Sequence, residues 1–320
     1  MEFGTSTVLG CTCRLNLTAG SIDEIMAGPM ATDVKEQSNH FLKPSTGYIL
    51  LHEWVYWLAG AIFAFAAANF IMSGSIFIKL AIPFAYDGDS LFHGWMAQRV
   101  IEGWIFDNPR SGYPFGSSFL DYPGSDSANH FLLKLIGIVS ENFQVAMNLY
   151  FLLGFPVLFA VSYIALRRVG LSVAFAIAGA FAFDFLPFHF LRLSHLFYTW
   201  YFCVPIFFNL GLICYNAKNI ILPSRFKMIM MAAGLAALAS FGVYNALFGI
   251  IVLSVSGISG ALSHNSLRPV WLTTVCVVVA TAGVALNILP NIINNHVNGN
   301  NPEVGHRESF ESELYGLKLM

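Results

Sequence analysis

Charge is what this sequence has least of. Of its 320 residues, 11% are Asp, Glu, Lys or Arg, whereas 56% are hydrophobic; an ordinary soluble domain carries roughly 25% charged residues. That deficit excludes a globular enzyme hydrated on every side, and the chain reads as an integral membrane protein. A basic excess is also lacking. The formal net charge is -2, so no cationic face offers itself to a phosphate backbone and no nucleic-acid partner is expected. The five cysteines are an odd set. Cys203, Cys214 and Cys276 lie in apolar runs as small hydrophobes, and Cys11 with Cys13 forms a lone CxC, a weak signal for metal or pairing. No disulfide framework follows. Residues 1–10 have no basic n-region and too short an apolar run for a signal peptide. Internal repeats are absent as well.

What the chain does have is a series of long apolar runs, several near the roughly 20 residues that a membrane-crossing helix needs. They cover Trp54 to Ser73, Phe143 to Ala165, Leu171 to Leu186, Phe197 to Tyr215, Met228 to Gly242, Ala246 to Leu262 and Val270 to Leu289. The expected fold is all-α, a polytopic transmembrane helix bundle of about seven spans. Residues 1–45, rich in Ser, Thr, Gly and acids, read as a polar tail, and 46–320 as the membrane domain. Trp54, Tyr56 and Trp57 stand where an interfacial aromatic belt would.

Basic residues orient the spans. Arg167 and Arg168, then Lys218, Arg225 and Lys227, then Arg268 fall in loops on one side. The positive-inside rule makes that side cytoplasmic and puts the N-terminus inside. The segments 78–142, 187–196 and 290–320 are then outside. Within the first of these, Leu91, Phe92, Trp95, Met96, Val100 and Trp104 recur at helical spacing, with Gln98, Arg99 and Glu102 between them. The pattern predicts an amphipathic helix on the membrane surface, and Phe131 to Val139 a second interfacial helix. Turns are marked by Asn108-Pro109 and Tyr113-Pro114-Phe115-Gly116.

Carboxylates are so scarce that their positions are informative. Asp87 and Asp89 flank Gly88 where the first span should emerge into water. Such a pair can hold a divalent cation, Mg or Mn, or take a proton from a substrate. The alternative is a helix start, with Asp89 or Ser90 as N-cap and Gly88 turning the chain. Asp184 is the only acid between Asn142 and Pro302, near the outer end of the third span; either it has reached the interface or it joins the other two acids around a site. Arg192 and His195 are basic groups at the outer rim, with Arg99 and Arg307 more remote, and each reads as a site group or as a lipid anchor or solvated group. Arg192, His195 and Tyr198 share a face if the fourth helix starts early. His189, in aromatic company, reads as structural. Tyr244 and Asn245 can hydrogen-bond a polar ligand or simply make the turn between the fifth and sixth spans.

The ordered set of segments carries a resemblance. The acidic pair is followed by Arg99 and Glu102, Asn108-Pro109, Gly112 to Gly116 and Tyr122-Pro123-Gly124-Ser125-Asp126. Next come Asn148, Gly154-Phe155-Pro156, Pro187 to Arg192, Ser194-His195-Leu196 and Pro205. Over roughly residues 50–320 this resembles a group of bacterial multi-pass proteins that look like GT-C glycosyltransferases. The resemblance implies a helical enzyme of the bacterial inner membrane. It would move a hexosyl or pentosyl group from a polyprenyl-phosphate carrier to an envelope glycan or glycolipid acceptor on the non-cytoplasmic face. It also implies a catalytic or metal-associated role for Asp87 and Asp89, while only Asp184 stands where a second acidic motif would be. A transporter or flippase of a lipid-linked substrate, or a non-catalytic membrane subunit, are the competing readings. From Pro290 the chain turns polar and reads as loop, and 308–315 reads as a helix start. Because members of that group continue into further spans, the chain is read as C-terminally truncated.

Overall fold

The structure is a computed structural model that describes residues 45–302 except 107, 113, 122, 123, 125 and 221–223. The expected polar tail, the CxC pair, Arg307 and the 308–315 helix start lie outside the described residues, as do Tyr113, Tyr122, Pro123 and Ser125. Among the described residues the chain is helical, with one isolated bridge, Asn108 to Ser117, in place of any strand. Five helices are long and apolar enough to cross a bilayer, and this is a membrane protein.

A short α1 (Thr46–His52) leads into α2 (Trp54–Ser73), which stops at Gly74 in the left-handed conformation, φ 62°. Its small residues Ala61, Ala64 and Ala68 are buried, while Ile62, Phe63, Phe70 and Ile71 are exposed. Large side chains face lipid, and small ones let the neighbouring helix approach. Then follow α3 (Gly88–Glu102), α4 (Ser127–Gly137), α5 (Phe143–Arg168), α6 (Val173–Asp184) and α7 (Pro187–Leu191). A 3₁₀ turn at Leu196–Thr199 precedes α8 (Cys203–Tyr215), α9 (Arg225–Ala239), α10 (Val243–His264) and α11 (Arg268–Asn298).

Two apolar cores result. One joins α2 through α6 around Tyr150, Phe151, Phe155 and Phe159. The other joins α8 through α11 around Phe207, Leu238 and Leu253. In the second, backbones nearly touch: a Cβ on Gly260 would lie 2.4 Å from the Tyr215 carbonyl oxygen, and one on Gly283 2.7 Å from that of Ala236. Trp200 stacked on Phe241 at 6.3 Å, and Phe202 edge-on to Phe241 at 4.8 Å, join the cores.

The bundle has two distinct ends. At the basic end Glu53 accepts from Tyr163 Oη (2.7 Å) and Arg167 Nε (2.8 Å), Lys218 Nζ donates to the His264 carbonyl, and Arg268 to that of Lys218. The loop end carries 74–142, 185–202 and the turn 240–242. There Asn148 Nδ2 donates to the carbonyls of Leu80 (2.8 Å) and Ile82 (2.7 Å) and its Oδ1 accepts from Phe84 N–H, pinning the loop after α2.

Three expectations need correction. Of the seven expected spans, Phe197 to Tyr215 begins only at Cys203, because a 3₁₀ turn interrupts it, leaving 13 helical residues. Met228 to Gly242 becomes Arg225–Ala239, 15 residues. Both are shorter than the five stretches long enough to cross, one of which is α6 with α7 over Val173–Leu191. The polar stretch after Pro290 continues α11 to Asn298. Its asparagines fall at helical intervals and find partners on one face: Asn287 with Ser127 N–H and Ser240, Asn291 with the Leu120 carbonyl, Asn294 with Asp121. The expected surface helix forms as α3, with Met96 and Val100 buried. Leu91 and Phe92 are exposed, whereas Ser90, Gly94 and Ala97 are buried, with Gly94 against Phe143. Its narrow side packs on the start of α5.

Candidate functional site

Two adjoining cavities open at the loop end where the cores meet, and His195 and Tyr198 line both. The smaller, about 270 Å³, is walled by Asp89, His93, Asp126, His195 and Tyr198. The larger, about 600 Å³, is walled by Arg192, His195, Tyr198, Tyr201, Tyr244 and Asn245 on its polar side and by Phe188 and Phe248 on its apolar side.

The helix start at 87–90 sorts the acidic pair. Asp87, not Asp89 or Ser90, is the N-cap of α3; its N–H donates to Ser90 Oγ at 2.7 Å, one half of a capping box, and Gly88 turns the chain at φ 43°. Asp89, two residues on, points away from the cap, with Oδ2 3.2 Å from His195 Nε2. One turn further, His93 lies edge-on to Phe197 at 4.9 Å, and His130 of α4 meets the same ring at 5.2 Å. Burial pushes the His93 imidazole down to about 4, helped by His195 and opposed by Asp89. Burial likewise lowers His130 to about 4, with His93 adding to it. Both are neutral at pH 7. Among the described residues, neither ring nitrogen of His130 has a hydrogen-bond partner.

Asp126 is the site's other carboxylate. It is the N-cap residue of α4, yet its side chain makes no cap bond. Burial pushes it up to about 6, against a hydrogen bond with Asn129 that lowers it. The three residues after it are fixed by α11 and by the turn 240–242. Ser127 N–H donates to Asn287 Oδ1 (3.3 Å), Ala128 N–H to the Ser240 carbonyl (3.2 Å) and Asn129 Nδ2 to the Phe241 carbonyl (3.2 Å). Gly242, at φ 130°, completes the wall: a Cβ there would lie 3.1 Å from Asp126 Oδ1.

In the larger cavity, Arg192 lies over the Phe188 ring at 5.6 Å and makes no ion pair among the described residues. By contrast Arg99 and Arg110 are both held by Glu102. Tyr244 and Asn245 belong to the first turn of α10, with Tyr244 edge-on to Tyr198 at 5.8 Å. The structure thus gathers Asp89, Arg192, His195, Tyr244 and Asn245 around one groove. It leaves Asp87 on the exposed rim and Asp184 outside both cavities. Asp184 is buried, its carboxylate 3.8 Å from His189 Nδ1, while His189 stacks on Phe155 at 3.8 Å.

Sequence reasoning missed His93 and Asp126 as site groups, and His130 as the buried ring packed behind them against Phe197. Asp89 and His93 are four apart on a helix, a spacing that puts them on one face. Asp126 sits in a stretch quoted only for its resemblance. His130 has no local signal, since what brings it in is the packing of α4 under α3. Among the described residues no three His, Cys, Asp or Glu side chains are grouped to hold a metal ion. A cation at Asp87 and Asp89 would need most of its ligands from water or substrate.

Compared with known proteins, the chain matches no family model, no curated protein and no solved structure.

Proposed function

We propose that this protein is a polytopic membrane glycosyltransferase. It would take a hexosyl or pentosyl group from a polyprenyl-phosphate carrier and pass it to an envelope glycan or glycolipid on the non-cytoplasmic face. The observation that carries the reading is the groove itself: a guanidinium with no ion pair among the described residues and apolar rings in one cavity, and two carboxylates with histidines in the next. Such a division suits a substrate with a lipid tail, a phosphate and a hydroxyl-bearing acceptor. Arg192 meets the leaving phosphate charge, Tyr244 and Asn245 bond the sugar, Asp89 orients His195, and a carboxylate of the smaller cavity takes the acceptor proton.

The same reading takes all seven apolar helices as crossing. The short α8 and α9 both run between the basic end and the loop end, as the Lys218 and Ser240 contacts indicate. Arg167, Arg168, Lys218, Arg225, Lys227 and Arg268 then lie in the cytoplasm of a bacterial inner-membrane protein, with the N-terminus on that side. In a background with the native cysteines replaced, Phe115→Cys is expected to react with an impermeant maleimide on intact cells, and Arg225→Cys only after lysis. The reverse pattern would invert the orientation and remove the proposed site from the outer face.

Activity is the direct test. Purified protein in liposomes is supplied with undecaprenyl-phosphate glucose or undecaprenyl-phosphate arabinose and octyl glycoside acceptors. Arg192→Gln is expected to raise the donor KM about tenfold or more, and Asp89→Asn to lower kcat with KM little changed. Unaltered kinetics in both variants would dismiss the groove as the site. A transporter of a lipid-linked substrate is the second reading, and one observation favours it: the buried Asp184 carboxylate, which accepts no hydrogen bond among the described residues. Movement of the carrier across the bilayer without sugar transfer would select it.

A further inference from the structure

We propose that Asp126 is the catalytic base of the groove. This rests on the glycosyl-transfer reading and assigns the proton-accepting step to one of the two carboxylates facing the smaller cavity. Asp89 is the group that sequence position favours, but its side chain is 61% exposed and is spent on His195 at 3.2 Å. Asp126 differs in each respect. It stands at a helix start without capping it, its carboxylate bonds Asn129, the next two residues are tied to Asn287 of α11 and to the Ser240 carbonyl, and it faces a wall that only glycine leaves open. A base needs such fixed placement more than it needs exposure.

In the step, the acceptor hydroxyl attacks the anomeric carbon. The new C–O bond forms as the bond from that carbon to the carrier phosphate oxygen breaks, and the electron pair leaves on the phosphate, facing Arg192. Asp126 receives the hydroxyl proton and afterwards returns it to water through the open cavity. Burial makes Asp126 a better proton acceptor than an exposed carboxylate while leaving it ionised at neutral pH, since its carboxyl is pushed up to about 6. The titratable groups around it are Asp89 and His93 from α3, His195 and Tyr198 from the 3₁₀ turn, Tyr150 from α5, His130 from its own helix and Tyr244 from α10. His93 and His130 stay neutral until about pH 4, so they do not titrate in the same range.

The test is the pH profile of kcat from 5 to 8 in the liposome assay. Wild type is expected to show an acid limb near 6, and Asp126→Asn to lose about a hundredfold in kcat together with that limb. Asp126→Glu should retain part of the activity with the limb displaced. Asp89→Asn should slow the reaction with the limb in place. If Asp126→Asn does not fold, a displaced limb in Asp126→Glu supports the assignment and an unmoved one overturns it. An active wild type with Asp126→Asn equally active removes Asp126 and leaves the glycosyl-transfer reading standing. A folded wild type that moves no sugar from either donor sinks both.

Discussion

Glu53→Ala is expected to cost about 3–5 kcal/mol of stability, the usual penalty for removing one partner of a buried ion pair. Glu53 is 6% exposed at the junction of α1 and α2. One carboxylate oxygen takes both Tyr163 Oη and Arg167 Nε, and the other takes Arg167 Nη2 at 2.5 Å. The Arg167 guanidinium holds this carboxyl below its usual range. Removing it strands a guanidinium and a phenol that stand 114 and 110 residues further along the chain. Thermal unfolding in detergent should fall by on the order of 10 °C. Glu53→Gln, which keeps the shape and one acceptor, should fall less, and Glu53→Leu combined with Arg167→Met should recover part of the loss. A Glu53→Ala protein melting within a degree or two of wild type would mean the pair behaves as an exposed one, worth at most about 1 kcal/mol.

That lock was not legible in the sequence, for a physical reason. Glu53 precedes an aromatic belt, where a lone acid looks like interfacial decoration, and its partner is found only when α5 returns antiparallel to α2. The spans themselves were legible because lipid imposes a length and a composition on each helix separately. Trp54–Ser73 appears in the structure as expected, and α5 begins at Phe143 as expected. Where neighbours decide, reading failed. Pro290 looks like a stop, but the asparagines beyond it bond Leu120 and Asp121, and those partners keep α11 going. The sequence between Phe197 and Cys203 is apolar enough for helix, but Trp200 donates to the Tyr150 carbonyl at 2.9 Å and bends the chain into the first core. The site divides the same way. Asp89 and His195 could be named as rare polar groups at the rim, whereas Asp126 matters through Gly242 and Asn287, more than a hundred residues away.

The buried histidines make a second large prediction: stability should fall steeply on the acid side. An unfolded histidine titrates near 6.5, and His93 and His130 are each lowered to about 4 in the folded protein. Their contribution is therefore complete above 6.5 and is lost as the pH drops toward 4, because the unfolded chain takes up protons that the folded one refuses. At pH 5 each costs about 2 kcal/mol relative to neutral pH. Asp126 works in the opposite sense. Raised to about 6 from an unfolded 3.8, it penalises folding at neutral pH and relaxes as the pH falls, returning about 1 kcal/mol by pH 5. For these three groups together the sum is a loss of about 3 kcal/mol between pH 7.5 and 5, in a range where Glu53, held below its usual 4.5, remains ionised. Melting in detergent at the two pH values measures it. His130→Phe, which keeps a ring against Phe197 and Trp104, should remove about half of the acid sensitivity while raising the midpoint at pH 5. A His130→Phe protein whose midpoint falls between pH 7.5 and 5 as much as the wild type's would mean that the His130 imidazole exchanges protons with water as freely folded as unfolded, and the wall between α3 and α4 would then be open rather than packed.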